Sequence, residues 1–493
     1  MPVYKVKVKW GKEVYDAIDL DTDLETAVFK AQVFALTSVP IERQKLMFKG
    51  KVISGASWDA YQIKDGITLL MMGTADKIPE EPIEKPKFIE DMSENELTTA
   101  LDLPSGLTNL GNTCYLNATV QCLKTIPELK EAITKFVNSH DSGSFAPNVT
   151  ASLRDLFGTM ESRSVVAPMV FLTVFHMAFP RFAEKSPDGN LIQHDAAECW
   201  TSLMRSLQQD LKTSDKQGTG DNITEARASK NQNFIEQYFE GNFAVTMKNT
   251  ESEIEEETKT VEKFLHLSCF ISNHEVKYLQ SGLKYSILEE TLTKFSPTLQ
   301  RDCLFTKKSL LARLPAYLTI QIMRFEYKGR EAKILKEIKF GLTLDVFEMC
   351  TPELQEKLLP MRNKFKAQED KLLAESQNAD RKKDDKKGDK KDEKPKYQYP
   401  YYFKDDIGSN NSGYYELQAV LTHKGRNIAS GHYLAWIKRN KDEWFQCDDD
   451  NVTQVTTDDI LRLSGGGDWH CAYLLLYGPR VLEVDDKPDN PDI

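Results

Sequence analysis

Residues 75 to 98 place Pro79, Pro82 and Pro86 among acids and lysines, a stretch that cannot bury enough apolar surface to fold alone. It reads as a tether, and it constrains the fold more than any other feature. Some 74 residues stand before it and about 380 residues, 99 to 480, follow it, with 481 to 493 as an acidic tail. A chain of 493 residues exceeds the roughly 250 to 300 at which single cores stop growing. One small domain and one large one are expected.

The small domain opens on a half-buried strand. In residues 3 to 10, Tyr4, Val6, Val8 and Trp10 alternate with Lys5, Lys7 and Lys9. Thr22-Asp23-Leu24-Glu25 has the spacing of a capping box, and Val28, Ala31, Ala35 and Leu36 give the next segment a helical apolar stripe that ends at Ser38-Val39-Pro40. A strand at Lys45 to Phe48, a Lys-Gly-Lys turn and a closing strand at Thr68 to Met72 complete it.

The net charge of −11 leaves no global basic field to hold nucleic acid or an anionic membrane, so a protein partner or substrate fits better. Eight cysteines occur without a C-x-x-C pair, which points to reduced thiols and to the cytoplasm or nucleus. MPVYKVKVKW lacks the continuous apolar core of a signal peptide, and the longest apolar runs fall short of the ~20 residues that cross a bilayer. Two further polar stretches are expected to be unstructured: a mobile loop at about 212 to 231 and a charged, disordered insertion at about 367 to 396.

Three distant segments carry chemistry. GNTCYLNATVQCL, residues 111 to 123, sets Cys114 at the start of a helix, where the N-terminal dipole favours a thiolate. YELQAVLTHKGRNIASGHYLAWI, 415 to 437, reads as two strands around a polar loop with His432 opening the second. WFQCDDDNV, 444 to 452, puts acids at a strand end within hairpin distance of that histidine. Cys114 as nucleophile, His432 as base and later acid to the leaving amine, and Asp448 as the carboxylate that orients the ring form one chemically complete set. Asp449 is the alternative acid. Asn109, on the loop before the thiol, carries an amide donor suited to an oxyanion. His423 and Cys122 read as structural residues, since a lone buried histidine or cysteine is more often core than catalyst.

GLTNLGNTCYLNATVQCL at 106 to 123, QHDAAECW at 193 to 200, LPAYLTIQIMRFEY at 314 to 327, the histidine segment with its acids, and CAYLLLYG at 471 to 478 together resemble the boxes of the ubiquitin-specific proteases, in that family's order. Residues 1 to 74, with LMFKGK at 46 to 51, resemble ubiquitin, but Met72-Gly73 runs on into Thr74-Ala75-Asp76 without a terminal Gly-Gly. This combination resembles most closely the proteasome-associated members.

The resemblance implies an α+β chain: a ubiquitin-like β-grasp docking domain, then a papain-like cysteine protease domain with fingers, palm and thumb. It implies a thiol deubiquitinase that trims ubiquitin at the 26S proteasome regulatory particle, with polyubiquitinated proteins as substrates and a monomer when free. Cys114, His432, Asp448 and Asn109 take the four catalytic roles, and Gln193, Asp195 and Tyr433 line the channel for the ubiquitin tail. An N-cap role for Asp195, before an apolar stripe of Trp200, Leu203, Leu207 and Leu211, is compatible with that. Two loops that control the channel correspond to Lys328, Gly329 and Arg330 and to Asn427, Ile428, Ala429 and Ser430.

Cys447 and Gly341 depart from the family pattern, and only Cys269 and Cys303 stand where relatives carry four zinc ligands, so neither metal nor cofactor is expected. Rival readings are a non-catalytic ubiquitin-binding scaffold and a different thiol enzyme, such as an acyltransferase or transglutaminase.

Overall fold

Val6, Val8, Leu46, Leu69 and Met71 lose all or nearly all solvent contact on one face of a mixed sheet near the N-terminus. The computed structural model describes residues 3–55, 57–74, 103–137, 148–212, 233–252, 254–272, 275–287, 289–327, 331–380, 396–427, 430–440, 442–467 and 469–485. The tether at 75–98, nearly all of the loop expected at 212–231, residues 328–330 and 428–429, and the stretch 381–395 lie outside the described residues. Two compact units divide between residues 88 and 89.

The first unit contains β1 (Val3–Trp10), β2 (Glu13–Asp21), α1 (Thr26–Thr37), β3 (Lys45–Phe48), β4 (Lys51–Val52) and β5 (Thr68–Met72). Its sheet order is β2-β1-β5-β3-β4, with β1 and β5 parallel and the other neighbours antiparallel, which is the β-grasp arrangement. The helix differs from expectation in two ways. It begins at Thr26 after Glu25, with no side-chain cap, so the capping box does not form. It also buries Thr26, Phe29, Val33 and Thr37, not the stripe of Val28, Ala31, Ala35 and Leu36, which faces solvent. Helical spacing allowed either face. Phe29 decides, because its ring meets Trp58 edge-on at 5.5 Å in the core.

The second unit has three layers of different composition. Its thumb is helical: β6 (Gly106–Leu107), α2 (Cys114–Lys124), α3 (Pro127–Thr134), α4 (Val149–Met160), β7 (Val165–Val166), α5 (Met169–Ala178), α6 (Ala196–Asp210) and α7 (Phe234–Phe239). Trp200, Leu203, Leu207 and Leu211 are buried as the spacing predicts.

A four-stranded antiparallel sheet forms the fingers, from β8 (Gly241–Asn249), β9 (Thr258–Phe264), β11 (Glu289–Ser296) and β12 (Arg301–Arg313), in the order β11-β12-β8-β9. Cys303 lies on β12, whereas Cys269 lies on β10 (Leu267–Phe270) in the palm.

The palm is an eight-stranded sheet. It joins β10, β13 (Leu318–Met323), β16 (Thr343–Asp345), β18 (Tyr414–Asn427), β19 (Ser430–Lys438), β20 (Trp444–Asp448), β21 (Asn451–Val455) and β22 (Cys471–Pro479). The order is β10-β13-β22-β18-β19-β20-β21, with β16 on β18. The hairpin β14 (Phe325–Tyr327) and β15 (Glu331–Lys333) extends from β13, and α8 (Leu279–Ile287), α9 (Pro352–Asp380) and α10 (Thr457–Leu461) pack around the sheet.

Two boundaries move. Residues 367–380, expected to be disordered, continue α9, whose Arg362 holds Asp345 through two hydrogen bonds and stacks on Tyr414 at 4.0 Å. The expected tail from 481 begins inside the domain: Leu482 is buried, and β23 (Glu483–Val484) pairs with β17 (Tyr397–Gln398).

No described helix is long and apolar enough to cross a membrane. All eight cysteines are unpaired and buried.

Candidate active site

Cys114 is the first residue of α2, preceded by Thr113 at the N-cap and by Asn112 with φ of +53°, a left-handed turn that asparagine tolerates. Thr113 does not cap the helix with its side chain. Its hydroxyl instead accepts from Leu110 N at 2.9 Å, so the first-turn amides of α2 keep their partial positive charge for an anion.

α2 packs on β19, the strand that carries His432. His432 Nε2 lies 2.6 Å from Asp448 Oδ1. With that nitrogen committed, the other ring nitrogen is left for Cys114, the group that acts most strongly on the ring's protonation. The pair sets the electrostatics. The hydrogen bond to Cys114 is the main cause that raises the His432 pKa to about 9; burial opposes it, and Asp448 adds to it.

The acids separate by role. Asp448 ends β20, and Asp449, with φ of +52°, opens the tight turn to β21 in which Asp448 pairs with Asn451. Asp448 at the strand end thus meets the imidazole directly, while the Asp449 carboxylate, nearby in the turn, is taken up by other partners. Asp449 accepts from Asn117 Nδ2 at 2.8 Å and from Asn109 Nδ2 at 2.9 Å, and its carbonyl accepts from Leu107 N at 2.8 Å. The close approach needs a glycine beside it, because a Cβ on Gly106 would sit 2.3 Å from Asp450 O.

His432, Asp448 and Asp449 bring one nitrogen and two carboxylate oxygens within 4.8 Å of one another; within the site His432 Nε2 meets Asp448 Oδ1, and both Asp449 oxygens accept from asparagine amides.

The residues expected to hold the ubiquitin tail are all buried. Asp195 caps α6, Oδ1 accepting from Ala197 N at 2.8 Å and Glu198 N at 3.0 Å, while Oδ2 accepts from Tyr473 OH at 2.6 Å. Burial raises its pKa, opposed by the Tyr473 hydrogen bond. Gln193 and Tyr433 are buried, and Gln193 Nε2 and Tyr433 OH have no partner at hydrogen-bonding distance.

Of the loop residues, Asn427 and Ser430 pair across the β18–β19 hairpin. Lys328, Gly329, Arg330, Ile428 and Ala429 lie outside the described residues. His423 and Cys122 are fully buried, as expected of structural residues.

Sequence reading missed Asn117, Tyr473 and Lys333. A polar Asn117 three residues past the thiol on a buried helix, and a tyrosine in an otherwise aliphatic strand, were signals that each needed a partner. Lys333 gave none, being one lysine in a charged stretch.

Known proteins are similar to this chain. Residues 105–477 match the family model described as ubiquitin carboxyl-terminal hydrolase, and residues 5–76 match the ubiquitin family. The chain belongs to the ubiquitin carboxyl-terminal hydrolase family. It is a cysteine-type deubiquitinase with an N-terminal ubiquitin-like domain.

Full-length similarity extends to ubiquitin carboxyl-terminal hydrolase 6 of Arabidopsis thaliana, 39% identical over 97% of this chain and 99% of that protein. Ubiquitin carboxyl-terminal hydrolase 14 of Caenorhabditis elegans is 38% identical, over 98% of this chain and 94% of that one. A solved structure, the SAGA Ubp8/Sgf11/Sus1/Sgf73 DUB module bound to ubiquitin aldehyde, shares the fold at 21% identity. Its TM-score is 0.51, covering 76% of this chain and 69% of that one.

Proposed function

We propose that this hydrolase cleaves the isopeptide bond between ubiquitin and polyubiquitinated proteins with Cys114 as nucleophile, His432 as base and acid, Asp448 as orienting carboxylate and Asn109 as oxyanion donor. The observation that carries the reading is the 2.6 Å contact of His432 Nε2 with Asp448 Oδ1 on a strand against which the Cys114 helix packs, three segments far apart in sequence brought together.

The Cys114 thiolate attacks the carbonyl of the last ubiquitin residue. The tetrahedral oxyanion takes a hydrogen bond from Asn109, whose amide has a second N–H beyond the one given to Asp449. The His432 imidazolium protonates the departing lysine amine, and the C–N bond breaks to leave a thioester on Cys114. Neutral His432 then takes a proton from water, whose oxygen attacks the thioester and releases the ubiquitin carboxylate and the thiolate. Gln193, Asp195 and Tyr433 hold the tail.

A ubiquitin-bearing electrophile tests this. Ubiquitin with a reactive C-terminus should form an adduct at Cys114, located by mass spectrometry; no adduct there would favour the scaffold reading.

The ubiquitin-like unit serves as a docking module for the 26S proteasome regulatory particle, and the free protein acts as a monomer in the cytoplasm and nucleus. Exposed Val14, Val52, Leu70 and Met72 supply apolar contact area on this unit. Docking orders the active site. Deleting residues 1 to 74 should abolish activation by added proteasome while leaving slow basal turnover; unchanged activation would remove the docking claim.

A further inference from the structure

The β14–β15 hairpin meets the catalytic hairpin through a buried lysine. Lys333 ends β15 and is only 9% exposed. Its Nζ lies 3.0 Å from His423 Nδ1 and donates to His423 O at 2.7 Å. An ammonium has donors and no acceptor, so Nδ1 must be the unprotonated ring nitrogen and the proton must sit on Nε2. Burial and then Lys333 lower the His423 pKa to about 3, which keeps the ring neutral in this tautomer.

The far edge of the ring faces the residue before the catalytic histidine. A Cβ on Gly431 would lie 2.3 Å from Lys424 O, 2.5 Å from His423 Nε2 and 3.0 Å from Cε1, so the cross-strand carbonyl and the imidazole together form the floor on which Gly431 rests. Gly431 has φ of +140°, a conformation open to glycine alone at such an approach. The cross-strand register sets Lys424 opposite His432 and His423 opposite Tyr433. The ring is further held by Phe325, edge-on at 5.5 Å, and Tyr433 at 4.7 Å.

We propose that Lys333 is a positioning residue for His432, acting through His423: by fixing the tautomer and height of the His423 ring beneath Gly431, it sets the start of β19 and so the reach of the catalytic imidazole to Cys114. The relay has two links, Lys333 to His423 by hydrogen bond and His423 to Gly431 by contact. Neither Lys333 nor His423 touches the reacting atoms. The inference rests on Cys114 and His432 being the catalytic pair.

Lys333→Met in the full chain removes the donor at nearly constant volume. It should lower kcat on a fluorogenic C-terminal ubiquitin amide by about tenfold or more while KM moves little, because the ring that transfers the proton is displaced and the tail channel is not. Alkylation of Cys114 by iodoacetamide, followed across pH, should slow as well, because the displaced ring no longer takes the thiol proton.

A second pair of variants covers failure of Lys333→Met to fold. His423→Asn keeps an acceptor near the Nδ1 position and should retain several-fold more activity than His423→Leu. Wild-type kcat with an unchanged alkylation profile in Lys333→Met would overturn the proposal, and so would equal activity of the two His423 variants. Cys114→Ala separates the underlying assignment: turnover surviving in that variant would sink the catalytic pair itself, and this inference with it.

Discussion

The side-chain amide of Asn109 donates to Asp449 at 2.9 Å, across 340 positions of sequence. The carboxylate has a second amide, from Asn117, on its other oxygen. One acid thus clamps the loop before the nucleophile to the helix that bears it. Burial raises its pKa, and Asn117 and Asn109 oppose that by favouring the charged form.

Asp449→Asn tests the clamp without straining the turn, because asparagine also tolerates positive φ. Its amide would face one donor with another donor. Turnover should fall toward that of Asn109→Ala, for which loss of an oxyanion donor costs on the order of 10²–10³ in kcat. Steady-state kinetics on a ubiquitin amide decide it; full activity in Asp449→Asn would show that Asn109 needs no anchor.

Asp448 has a different task, and Asp448→Asn should reveal it. The substitution keeps the size but replaces the acceptor 2.6 Å from His432 Nε2 with a group that can present a donor. We expect kcat to fall on the order of 10²-fold, as for loss of efficient acid–base work, with KM little changed. Should Asp449→Asn lose more at the proton-transfer step, read as a solvent isotope effect, the assignment of the two acids would reverse.

These two acids also mark where sequence legibility ended. The three segments and the chemistry of Cys114, His432 and Asp448 were readable because each motif is local and its chemistry needs particular residue types. The roles of Asp448 and Asp449 separate only once the hairpin turn is fixed, and the turn depends on which residue takes positive φ. The face of α1 was misread because Val28, Ala31, Ala35 and Leu36 are as apolar as Phe29 and Val33, and only tertiary contact with Trp58 chooses between them. The continuation of α9 past residue 366 was hidden by its charge, although Arg480 holds Glu369 at 3.0 Å. Lys333 and Arg324 became informative only when burial was known.

The pH dependence follows from His432. Its pKa in the folded chain is raised to about 9 from an ordinary 6.5, with Cys114 the first cause. A group raised on folding contributes stability that is full below the unfolded value and is lost as pH rises through the folded one. That contribution should therefore fade between about pH 6.5 and 9, and the imidazolium needed to protonate the leaving amine should be lost as pH rises through about 9. NMR titration of the His432 ring should show its pKa fall in Cys114→Ala, because the main raising group is gone. An unmoved titration would mean that the thiol and ring do not interact.

Arg324 should matter to stability more than to chemistry. It is fully buried between β13 and β14, and its guanidinium donates to four backbone carbonyls: Ala472 at 2.6 Å, Lys336 at 2.8 Å, Ser464 at 3.0 Å and Ile334 at 3.4 Å. These acceptors come from β22, from the segment after β15 and from the turn after α10, so one side chain ties two loops to the palm sheet. Arg324→Leu fills much of the volume but strands three of the carbonyls in a dry interior, Ser464 O keeping its bond from Ile338 N at 2.9 Å. With net losses of about 1–2 kcal/mol for each stranded acceptor, the second unit should lose at least about 3 kcal/mol. Urea denaturation followed by tryptophan fluorescence measures it. A loss within about 1 kcal/mol would mean that water reaches these carbonyls and that the arginine is a surface residue in solution.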